Sequence, residues 1–404
     1  MNKLLKPSES QSEKVVAPIA TSEYQVGRLI GVGGFSSVYE VSSFSLHESF
    51  SQGMTQPEQL AREYLSKHIV QTYRRYCHTK KKVDGHEYEI NRYAVKRLRH
   101  ELAQDEDRFE RAAIDLILEG QLLCTMNHPN IIGLRGWNGA GADAFRSLVY
   151  SDYFLILDRL VESLDERIED WRGLLRKYRS RLAFPWLKQK AMTKIHNLFR
   201  ARIQVAHDLA SAIEYMHDRR IINRDIKAAN IGFCAKGVLK CYDFGLSRFL
   251  PEKMVDGGYE MSPVGTKLFM APEVRAKKTY GLPADVYSYG VVLWQVLSLA
   301  SPRDGLATHS RAKIEEENLK DCWLPICSCW PDDLQELVRV CLASNPRGRP
   351  SMTQVRSFLD GYLQGFWSTT DQQRWRRTLL RDSTVEARHI TVESKTSLLT
   401  PEDL

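Results

Sequence analysis

The chain has 404 residues and a mass of 46.5 kDa, enough for about two to three domain-sized units or for one two-lobed enzyme with tails. Its 43% hydrophobic and 26% charged residues are those of an ordinary globular protein, and this composition favours neither a disordered chain nor a membrane protein. The formal net charge of +7 is a mild excess that only weakly supports an acidic protein, an anionic lipid or a nucleic acid as partner.

The eight cysteines are scattered along the chain. The densest group, Cys322, Cys327 and Cys329, has no nearby histidine or second C-x-x-C pair, so we expect reduced thiols. No apolar run is long enough for a signal peptide or for the roughly 20 residues of a membrane span. Residues 286–300 come nearest, and their length predicts a buried core helix. We therefore expect a cytoplasmic protein, with the nucleus as an alternative.

The first structural signals follow a polar segment, residues 1–22, which we expect to be a flexible leader. From Tyr24 onward, two partly alternating runs flank the pattern G-x-G-x-x-S-x-V at residues 31–38, which predicts a strand, a glycine turn and a second strand. Such glycines let backbone N–H groups approach phosphate oxygens, although an ordinary tight hairpin has the same pattern. No helix follows the glycines, which argues against a dinucleotide-binding fold.

A long segment separates this hairpin from the next clear strand, because 57 residues lie between Val38 and Lys96. We interpret residues 44–89 as an insertion that begins as a serine-rich loop, has helical character over residues 57–76 and turns at Asp84-Gly85. A solvated surface insert is the favoured interpretation, and a dedicated binding module or a nuclear signal is the alternative.

The next predicted strand ends at Lys96 and leads into a helix. Apolar residues recur every 3.6 positions in this helix and place Glu119 near its middle. These residues are Phe109, Ala112, Ala113, Leu116 and Leu123. A compact apolar run at residues 153–157 predicts a further strand.

Residues 171–202 form a second insertion, which is strongly basic and contains aromatic residues at intervals. These aromatic residues are Trp171, Tyr178, Phe184, Trp186 and Phe199. Amphipathic helices packed on the larger lobe are the favoured interpretation, whereas an acidic partner or RNA is the alternative. Helical spacing returns over residues 206–216 and leads directly to the most informative segment of the chain.

That segment reads I-N-R-D-I-K-A-A-N at residues 222–230 and places a carboxylate, a cation and an amide on one short loop. A D-F-G sequence follows at residues 243–245, and G-T-K-L-F-M-A-P-E at residues 265–273. Together these motifs resemble the catalytic loop, metal-binding turn and activation segment of eukaryotic-type protein kinases. The closing C-L-A-S-N-P-R-G-R-P and the earlier H-P-N-I-I-G-L-R-G-W resemble the tyrosine-kinase-like group of serine/threonine kinases.

The resemblance covers about residues 24–363 and implies an α+β fold with two lobes. A small β-rich N-lobe with helix C (residues 23–158) would contain the insertion at 44–89. A larger, mainly helical C-lobe (159–365) would contain the basic insertion at 171–202. Residues 366–404 would then be a flexible tail.

The resemblance also implies the roles of the loop residues in an ATP- and Mg²⁺-dependent protein serine/threonine kinase. Asp225 would accept the hydrogen bond and the proton of a substrate hydroxyl, and Lys227 would neutralise the transferred phosphate. Asn230 and Asp243 would bind magnesium through hard oxygen ligands. Lys227 with Thr266 is the serine/threonine arrangement, so we expect protein substrates with Ser or Thr acceptors.

A second group of residues would bind the nucleotide. Lys96, paired with Glu119, would contact the α- and β-phosphates, and backbone groups of Asp158 and Leu160 would bind adenine beside the gatekeeper Leu157. The remaining nucleotide-binding residues implied by the resemblance are Ile30, Gly31, Gly33, Val38 and Ala94.

Two structural anchors and a regulatory site are also implied. Glu273 would form a buried ion pair with Arg349, and Asp285 would hold the catalytic-loop backbone. Because Arg224 precedes the catalytic aspartate, we expect an upstream kinase to phosphorylate the activation segment. Ser262 is the candidate site, with Arg224 and Arg248 binding the phosphate, and Tyr259 and Thr266 are competing sites.

Three residues depart from the family pattern. Ser36 replaces the third glycine of the loop, and Gly232 replaces a leucine below the adenine, so that either Phe233 compensates or the site is roomier. Asn223 replaces a histidine that packs on Phe244, which predicts a looser contact. These departures support the alternative of a nucleotide-binding pseudokinase. The retained catalytic residues favour an active enzyme. We expect no membrane span and no nucleic-acid partner.

Overall fold

The computed structural model describes residues 15–73, 88–139, 153–252, 258–307 and 324–365. The described residues fall into two compact units. The first unit comes from Met1–Leu164 and Ala228–Phe249, and the second comes from Asp165–Lys227 and Leu250–Leu404. The prediction for residues 366–404 lies outside the described residues.

The strands, in chain order, are β1 (Ala17–Ile19), β2 (Tyr24–Val32), β3 (Ser36–Phe44), β4 (Val70–Tyr73), β5 (Tyr88–Asn91), β6 (Tyr93–Leu98), β7 (Leu134–Asn138), β8 (Phe154–Asp158), β9 (Leu160–Ser163), β10 (Ile221–Ile222), β11 (Ile231–Cys234), β12 (Leu239–Cys241) and β13 (Arg248–Phe249). The helices are α1 (Gln56–Lys67), α2 (Glu106–Thr125), α3 (Leu164–Ser180), α4 (Pro185–Asp218), α5 (Pro272–Arg275), α6 (Pro283–Ser298), α7 (Pro302–Ala307), α8 (Asp332–Cys341) and α9 (Met352–Leu363). The β-rich first part and helical second part confirm the predicted α+β fold class.

A six-stranded sheet in the order β1-β7-β8-β6-β3-β2 forms the first unit. Its central strands β6 and β8 are buried along almost their whole length, because both faces are covered. The edge strand β2 is largely exposed. The core of this sheet consists of Ala17, Ile19, Tyr24, Val41, Leu65, Tyr93, Val95, Phe154 and Ile156.

The predicted flexible leader is too long. Residues Ala17–Ile19 form the buried strand β1, which pairs in parallel with β7 through Ala17 and Gly136. A three-residue apolar strand shows no recognisable period in a sequence, although in the structure all three of its residues are buried.

The first insertion is also more than a solvated surface insert. Its helix α1 buries Arg62 and Leu65 against the sheet. The predicted helical character over residues 57–76 is wrong at Val70–Tyr73, which form a strand paired antiparallel with Tyr88–Asn91, and residues 74–76 lie outside the described residues. Arg62 forms an ion pair with Glu23, with side chains only 1% and 0% exposed. The insertion is therefore part of the core of the first unit.

A second, three-stranded sheet in the order β12-β11-β9 lies in the first unit. β9 pairs with β11 through Ser163 and Gly232, so these two segments belong to the same compact unit. The division between units therefore differs from the predicted lobe boundary at residue 158, since the unit extends to Leu164 and includes Ala228–Phe249.

Helices form the second unit around α6, whose fourteen consecutive residues from Ala284 to Leu297 are buried. The prediction of a buried core helix near residues 286–300 is thus confirmed. The basic insertion is helical, as the favoured interpretation expected: it contains most of α3 and the first half of the 34-residue α4. Arg202 of α4 donates to the carbonyl of Val296 at 2.9 Å, which fixes α4 to the end of α6.

The cysteine prediction is wrong at one point. Cys327 and Cys329 are joined by a disulfide, because the turn between them brings their Cα atoms within 5.2 Å. Cys124, Cys234, Cys241 and Cys341 are free thiols. Among the described residues, no helix is both long and apolar enough to cross a membrane.

Candidate active site

The phosphate side of the candidate site lies in the first unit, around Lys96. Strand β6 carries Lys96 beside Val38 of β3, and its ammonium donates to Glu119 Oε2 of α2 at 2.6 Å and to Asp243 Oδ1 at 3.0 Å. Glu119 lies one third of the way from the end of α2, where the apolar period buries it. The structure thus brings together three of the residues that the sequence assigned to nucleotide and metal binding.

Electrostatics keep Lys96 charged. Burial alone would lower the pKa of its ammonium, but the carboxylates of Glu119 and Asp243 outweigh burial and raise that pKa. Glu119 Oε1 also accepts from the backbone N–H of Phe244 at 3.3 Å, which ties α2 to the D-F-G turn. Asp243 itself has a φ of 64°, a left-handed conformation that is uncommon outside glycine and often found at functional sites.

The glycine-rich hairpin joins β2 and β3 close to Lys96 in the sheet. The turn is closed by a hydrogen bond of 2.7 Å from Gly33 N–H to the carbonyl of Ser36. A Cβ atom added at Gly31 or Gly34 would meet nothing within 4 Å, so packing inside the chain does not require glycine at these two positions. The absence of side chains there leaves the backbone open to a ligand. Ile30, also assigned to the nucleotide, is 41% exposed.

The adenine side is built from β6, β8 and β9, also in the first unit. Ala94 pairs with Leu157 across β6 and β8, and both side chains are buried. Asp158, which follows Leu157, receives two hydrogen bonds of 2.8 Å from the guanidinium of Arg135. Arg159 forms a second, buried ion pair with Glu40 at 2.5 Å. Two ion pairs therefore fix the side chains of the segment whose backbone was assigned to adenine.

The replacement of leucine by Gly232 has a local explanation. A Cβ atom at Gly232 would lie 2.7 Å from Leu160 Cδ1 and 3.2 Å from Tyr242 Cε1, which is too close for two carbon atoms. Leu160 and Tyr242 thus fill the space that a side chain at position 232 would need. Of the two readings left open by the sequence, a roomier site finds no support here. Phe233 is fully buried, but it is not the residue in this space.

Asn230 ends the short 3-10 turn Ala228–Asn230 and enters β11. Its carbonyl accepts from the N–H of Tyr242 at 3.0 Å, one residue before Asp243. The Tyr242 hydroxyl donates to the carbonyl of Ala229. The two residues assigned to magnesium are thus joined by the pairing of their neighbouring backbone segments, within the first unit.

The residues predicted to act on the substrate hydroxyl lie in the second unit, where Asp225, Lys227 and Thr266 form a closed triangle of hydrogen bonds. Lys227 Nζ donates to Asp225 Oδ2 at 2.8 Å and to Thr266 Oγ1 at 2.9 Å. Thr266 in turn donates to Asp225 Oδ1 through its hydroxyl at 2.8 Å and its backbone N–H at 3.0 Å. Asp225 is only 9% exposed, so its carboxylate has a fixed orientation.

Asn223 has a role that the sequence analysis missed. Its Oδ1 accepts from the backbone N–H of Asp225 at 3.1 Å, an Asx-type bond within the loop. Asp285 of α6 receives the N–H groups of Asn223 and Arg224 at 2.7 and 2.9 Å, as the family resemblance implied. The left-handed φ of Arg224, 71°, is held by these bonds. The looser contact predicted from Asn223 to Phe244 stays a prediction.

The end of the activation segment is anchored within the second unit. Arg349 donates to both carboxylate oxygens of Glu273, at 2.7 and 2.8 Å, and both side chains are buried, as the resemblance implied. Gly265 has a φ of 116°, and a Cβ atom there would lie 2.4 Å from the carbonyl oxygen of Arg224. Only glycine fits at this approach to the catalytic loop.

Ser262, the predicted phosphorylation site, is exposed. Its carbonyl accepts from the Tyr280 hydroxyl at 2.7 Å, and Arg224 Nη1 donates to the same hydroxyl at 3.4 Å. The other predicted phosphate ligand, Arg248, belongs to the first unit, where it lies 3.5 Å from Asp115 of α2. The structure thus gives Arg224 a place near Ser262 and gives Arg248 a partner of its own.

Three contributors to the site were not predicted from the sequence: Arg135, Tyr242 and the amide of Asn223. The first two could not be found from spacing, because their partners are brought close only by sheet pairing. Asn223 did carry a signal, because an asparagine in a loop often accepts the backbone N–H two residues further on and so forms an Asx turn.

Comparison with known protein families agrees with the resemblance carried by these motifs. The profile described as "Protein kinase domain" matches residues 78–358, more than half of the chain. The chain therefore belongs to the protein kinase domain family. The recognition made from the sequence, a serine/threonine-type kinase resembling the tyrosine-kinase-like group, is confirmed.

Three relatives illustrate how distant the individual matches are. The chain is 36% identical to mitogen-activated protein kinase kinase kinase 12 of Rattus norvegicus over 152 residues, which is 38% of this chain and 16% of that protein. It is 32% identical to mitogen-activated protein kinase kinase kinase dlk-1 of Caenorhabditis elegans over 170 residues, 42% of this chain and 18% of that protein. Serine/threonine-protein kinase Nek6 of Oryza sativa subsp. japonica is 25% identical over 281 residues, 69% of this chain and 45% of that protein. Each match thus spans less than half of the relative's length.

Proposed function

We propose that this chain is an active protein serine/threonine kinase that transfers the γ-phosphate of ATP to Ser or Thr hydroxyls of protein substrates with the help of Mg²⁺. The observation that carries the proposal is the triangle of Asp225, Lys227 and Thr266. A carboxylate that accepts hydrogen bonds from an ammonium and a threonine hydroxyl is held in one orientation, which is what activation of a substrate hydroxyl requires.

The residues of the first unit suit the nucleotide and the metal. Asn230 and Asp243 offer an amide oxygen and a carboxylate, the hard ligands that Mg²⁺ prefers, and about half of the Asp243 side chain is exposed. Lys96 offers a permanent cation for phosphate, and the open backbone at Gly31 offers N–H donors. When bound, Mg²⁺ and ATP supply the phosphoryl group and neutralise its charge.

The chain's own residues would then act on the substrate hydroxyl. Asp225 accepts a hydrogen bond from this hydroxyl and takes up its proton as the oxygen is phosphorylated. Lys227 neutralises the negative charge of the transferred phosphoryl group, and Thr266 holds Asp225 and Lys227 in position. Asp285 keeps the loop backbone fixed, so that the carboxylate is oriented before the substrate arrives.

The second candidate function is a pseudokinase that binds nucleotide and transfers nothing. Three departures from the family pattern support this function, at Ser36, Gly232 and Asn223. Two of them are weak support, because Leu160 and Tyr242 fill the space at Gly232 and because Asn223 supports the loop by a hydrogen bond. The charged residues that perform the chemistry are all retained.

One experiment separates the two functions. The full chain is incubated with radiolabelled ATP, magnesium and a generic protein substrate, beside an Asp225→Asn variant. We expect transfer onto serine or threonine by the wild type and at most a small fraction of it by Asp225→Asn. Nucleotide binding without transfer by both proteins would establish the pseudokinase instead.

Phosphorylation of Ser262 by an upstream kinase is the regulation we propose. This proposal is supported by the position of Arg224 near Ser262. The Tyr280 hydroxyl accepts a hydrogen bond from Arg224 and donates one to the Ser262 carbonyl. An added phosphate would gain a cationic ligand that also belongs to the catalytic loop. Ser262→Ala should lower activity only in protein that has been phosphorylated beforehand, and equal activity would remove Ser262 from the mechanism.

A further inference from the structure

The connection between α3 and α4 forms a strongly cationic surface, which we call the α3–α4 tip and define as residues 176–194. The surrounding insertion, residues 171–202, contains ten lysine or arginine residues and no aspartate or glutamate. Seven of the ten lie in the tip, and all of these except the half-buried Arg179 are exposed. The exposed cations are Arg176, Lys177, Arg181, Lys188, Lys190 and Lys194.

Two aromatic side chains lie among these cations. Of the five aromatic residues in the insertion, Trp171 and Phe199 are buried and Tyr178 is half-buried. In contrast, Phe184 is 46% and Trp186 is 76% exposed, and Trp186 is the most exposed large hydrophobic side chain among the described residues. Their ring centroids are 5.4 Å apart, so the two rings form one small apolar projection.

Folding of α4 does not account for the cations. Lys188 lies in the first turn of α4, where the helix dipole favours negative charge and where there is no acidic residue. Lys190 and Lys194 follow in the next two turns. None of these three lysines forms an ion pair with any residue in the part of the chain that the structure describes. An anionic ligand would compensate for the positive charge at the N-terminal end of α4, which the helix dipole disfavours.

We propose that the α3–α4 tip docks on an anionic membrane surface. Phe184 and Trp186 enter the headgroup region, where aromatic rings with an amphipathic character are favoured, and the surrounding lysines and arginines bind lipid phosphates and carboxylates. Clusters of cations beside exposed aromatic residues combine the two contributions, electrostatic and apolar, that reversible membrane binding needs.

The geometry of the rings favours a lipid surface over RNA. Bases stack on aromatic side chains that stand apart as separate platforms. The rings of Phe184 and Trp186 instead pack on each other at 47°, so that each covers part of the other. This arrangement suits insertion as one apolar unit rather than stacking of successive bases.

The test uses the full chain and sedimentation with phosphatidylcholine vesicles, with and without phosphatidylserine. We expect binding to the phosphatidylserine vesicles only. Lys188→Gln, Lys190→Gln and Lys194→Gln together should weaken this binding about 100-fold, because each cation near an anionic surface contributes roughly fivefold in affinity and the three contributions multiply. The matched control, Lys236→Gln with Lys277→Gln and Lys278→Gln, removes the same charge from exposed positions elsewhere and should leave binding nearly unchanged.

The apolar contribution is tested separately. Phe184→Ala with Trp186→Ala should weaken binding roughly tenfold or more, whereas Leu60→Ala, an equally exposed apolar residue of α1, should not. Equal thermal unfolding of all variants and the wild type shows that folding is intact. If the α4 lysine variant unfolds early, Arg176→Gln with Lys177→Gln and Arg181→Gln provides the same test from α3.

Three results would overturn the proposal. The first is equal sedimentation with neutral and anionic vesicles. The second is a lysine variant that binds as tightly as its charge-matched control. The third is a single-stranded RNA that binds more tightly than the vesicles and is lost in the same variants, which would assign the tip to nucleic acid.

Discussion

Replacement of Arg62 by methionine should destabilise the first unit strongly, although Arg62 lies in an insertion outside the kinase motifs. Its guanidinium donates to both oxygens of Glu23, at 2.6 and 2.9 Å, and to the carbonyl of Pro18 at 2.7 Å. The same carboxylate accepts the backbone N–H groups of Ala20 and His47 at 2.9 and 2.8 Å. One buried pair thus joins the segment after β1, the start of the insertion and α1.

The magnitude follows from burial. Glu23 and Arg62 are 0% and 1% exposed, and removal of one partner from a buried ion pair typically costs about 3–5 kcal/mol because the other charge is left without compensation. We expect the lower end, about 3 kcal/mol, since two backbone donors would still bind Glu23. Glu23→Gln together with Arg62→Met should recover much of the loss, because no unpaired charge then remains.

The assay is urea unfolding of the full chain, together with hydrogen exchange of the backbone amides of Ala17 and Ile19. In Arg62→Met these amides should exchange faster, whereas Glu63→Gln, which removes an exposed ion pair with Lys67 on the same helix, should leave exchange unchanged. If Arg62→Met were as stable as Glu63→Gln, or if the double variant were the least stable of all, the buried pair would not be holding these segments together.

Four further predictions concern stability and the active site. Thr266→Ala should lower kcat roughly tenfold or more because Asp225 loses a charged hydrogen bond, and Thr266→Ser should retain most activity in the same assay; equal rates would exclude this role. Gly232→Leu should cost about 1–3 kcal/mol in thermal unfolding by overpacking, and Leu160→Ala added to it should restore part of the loss; a stabilised single variant would mean that the space is empty. Asn223→His should keep kcat within about twofold, because a histidine Nδ1 can replace the Asn223 oxygen as acceptor of the N–H two residues further on, as His128 does for the N–H of Asn130. Asn223→Leu, which has no acceptor, should lower kcat. A rise in kcat with histidine would favour the looser contact to Phe244 instead. Finally, burial raises the pKa of Glu23, but the hydrogen bonds from Arg62 and from two backbone N–H groups outweigh burial and lower that pKa. The stability that Glu23 contributes is therefore present above the unfolded pKa of about 4.3 and is lost as pH falls through the lower folded value. In acid unfolding, an Arg62→Met variant with the same midpoint pH as the wild type would contradict this.

The candidate catalytic residues could be predicted from the sequence because each motif is contiguous. Asp225, Lys227 and Asn230 share one loop, and the register of that loop is fixed by short-range geometry. The buried helix at Pro283–Ser298 was accessible for a similar reason, since its apolar residues are consecutive.

Strand β1 and the buried face of α1 were not accessible, for a different reason. The buried ion pair that holds α1 to the segment after β1 joins Glu23 to Arg62, 39 residues apart, and both residue types usually lie at the surface. The pairing of β4 with β5 could not be predicted for the same reason, because Val70 and Asn91 are 21 residues apart and become neighbours only when the two strands pair. Long-range pairing of this kind leaves no period to detect in either segment.

The parallel pairing of β1 with β7 has a consequence for any shortened form of this protein. A chain that began at residue 78, where the family profile starts, would lack β1 and so expose the outer edge of β7, and it would also lack β2 and β3, which cover the other side of the sheet at β6. An uncovered strand edge is a template for pairing with other chains, so aggregation is the expected fate of that fragment. Protein that retains residue 15 onward keeps this edge covered.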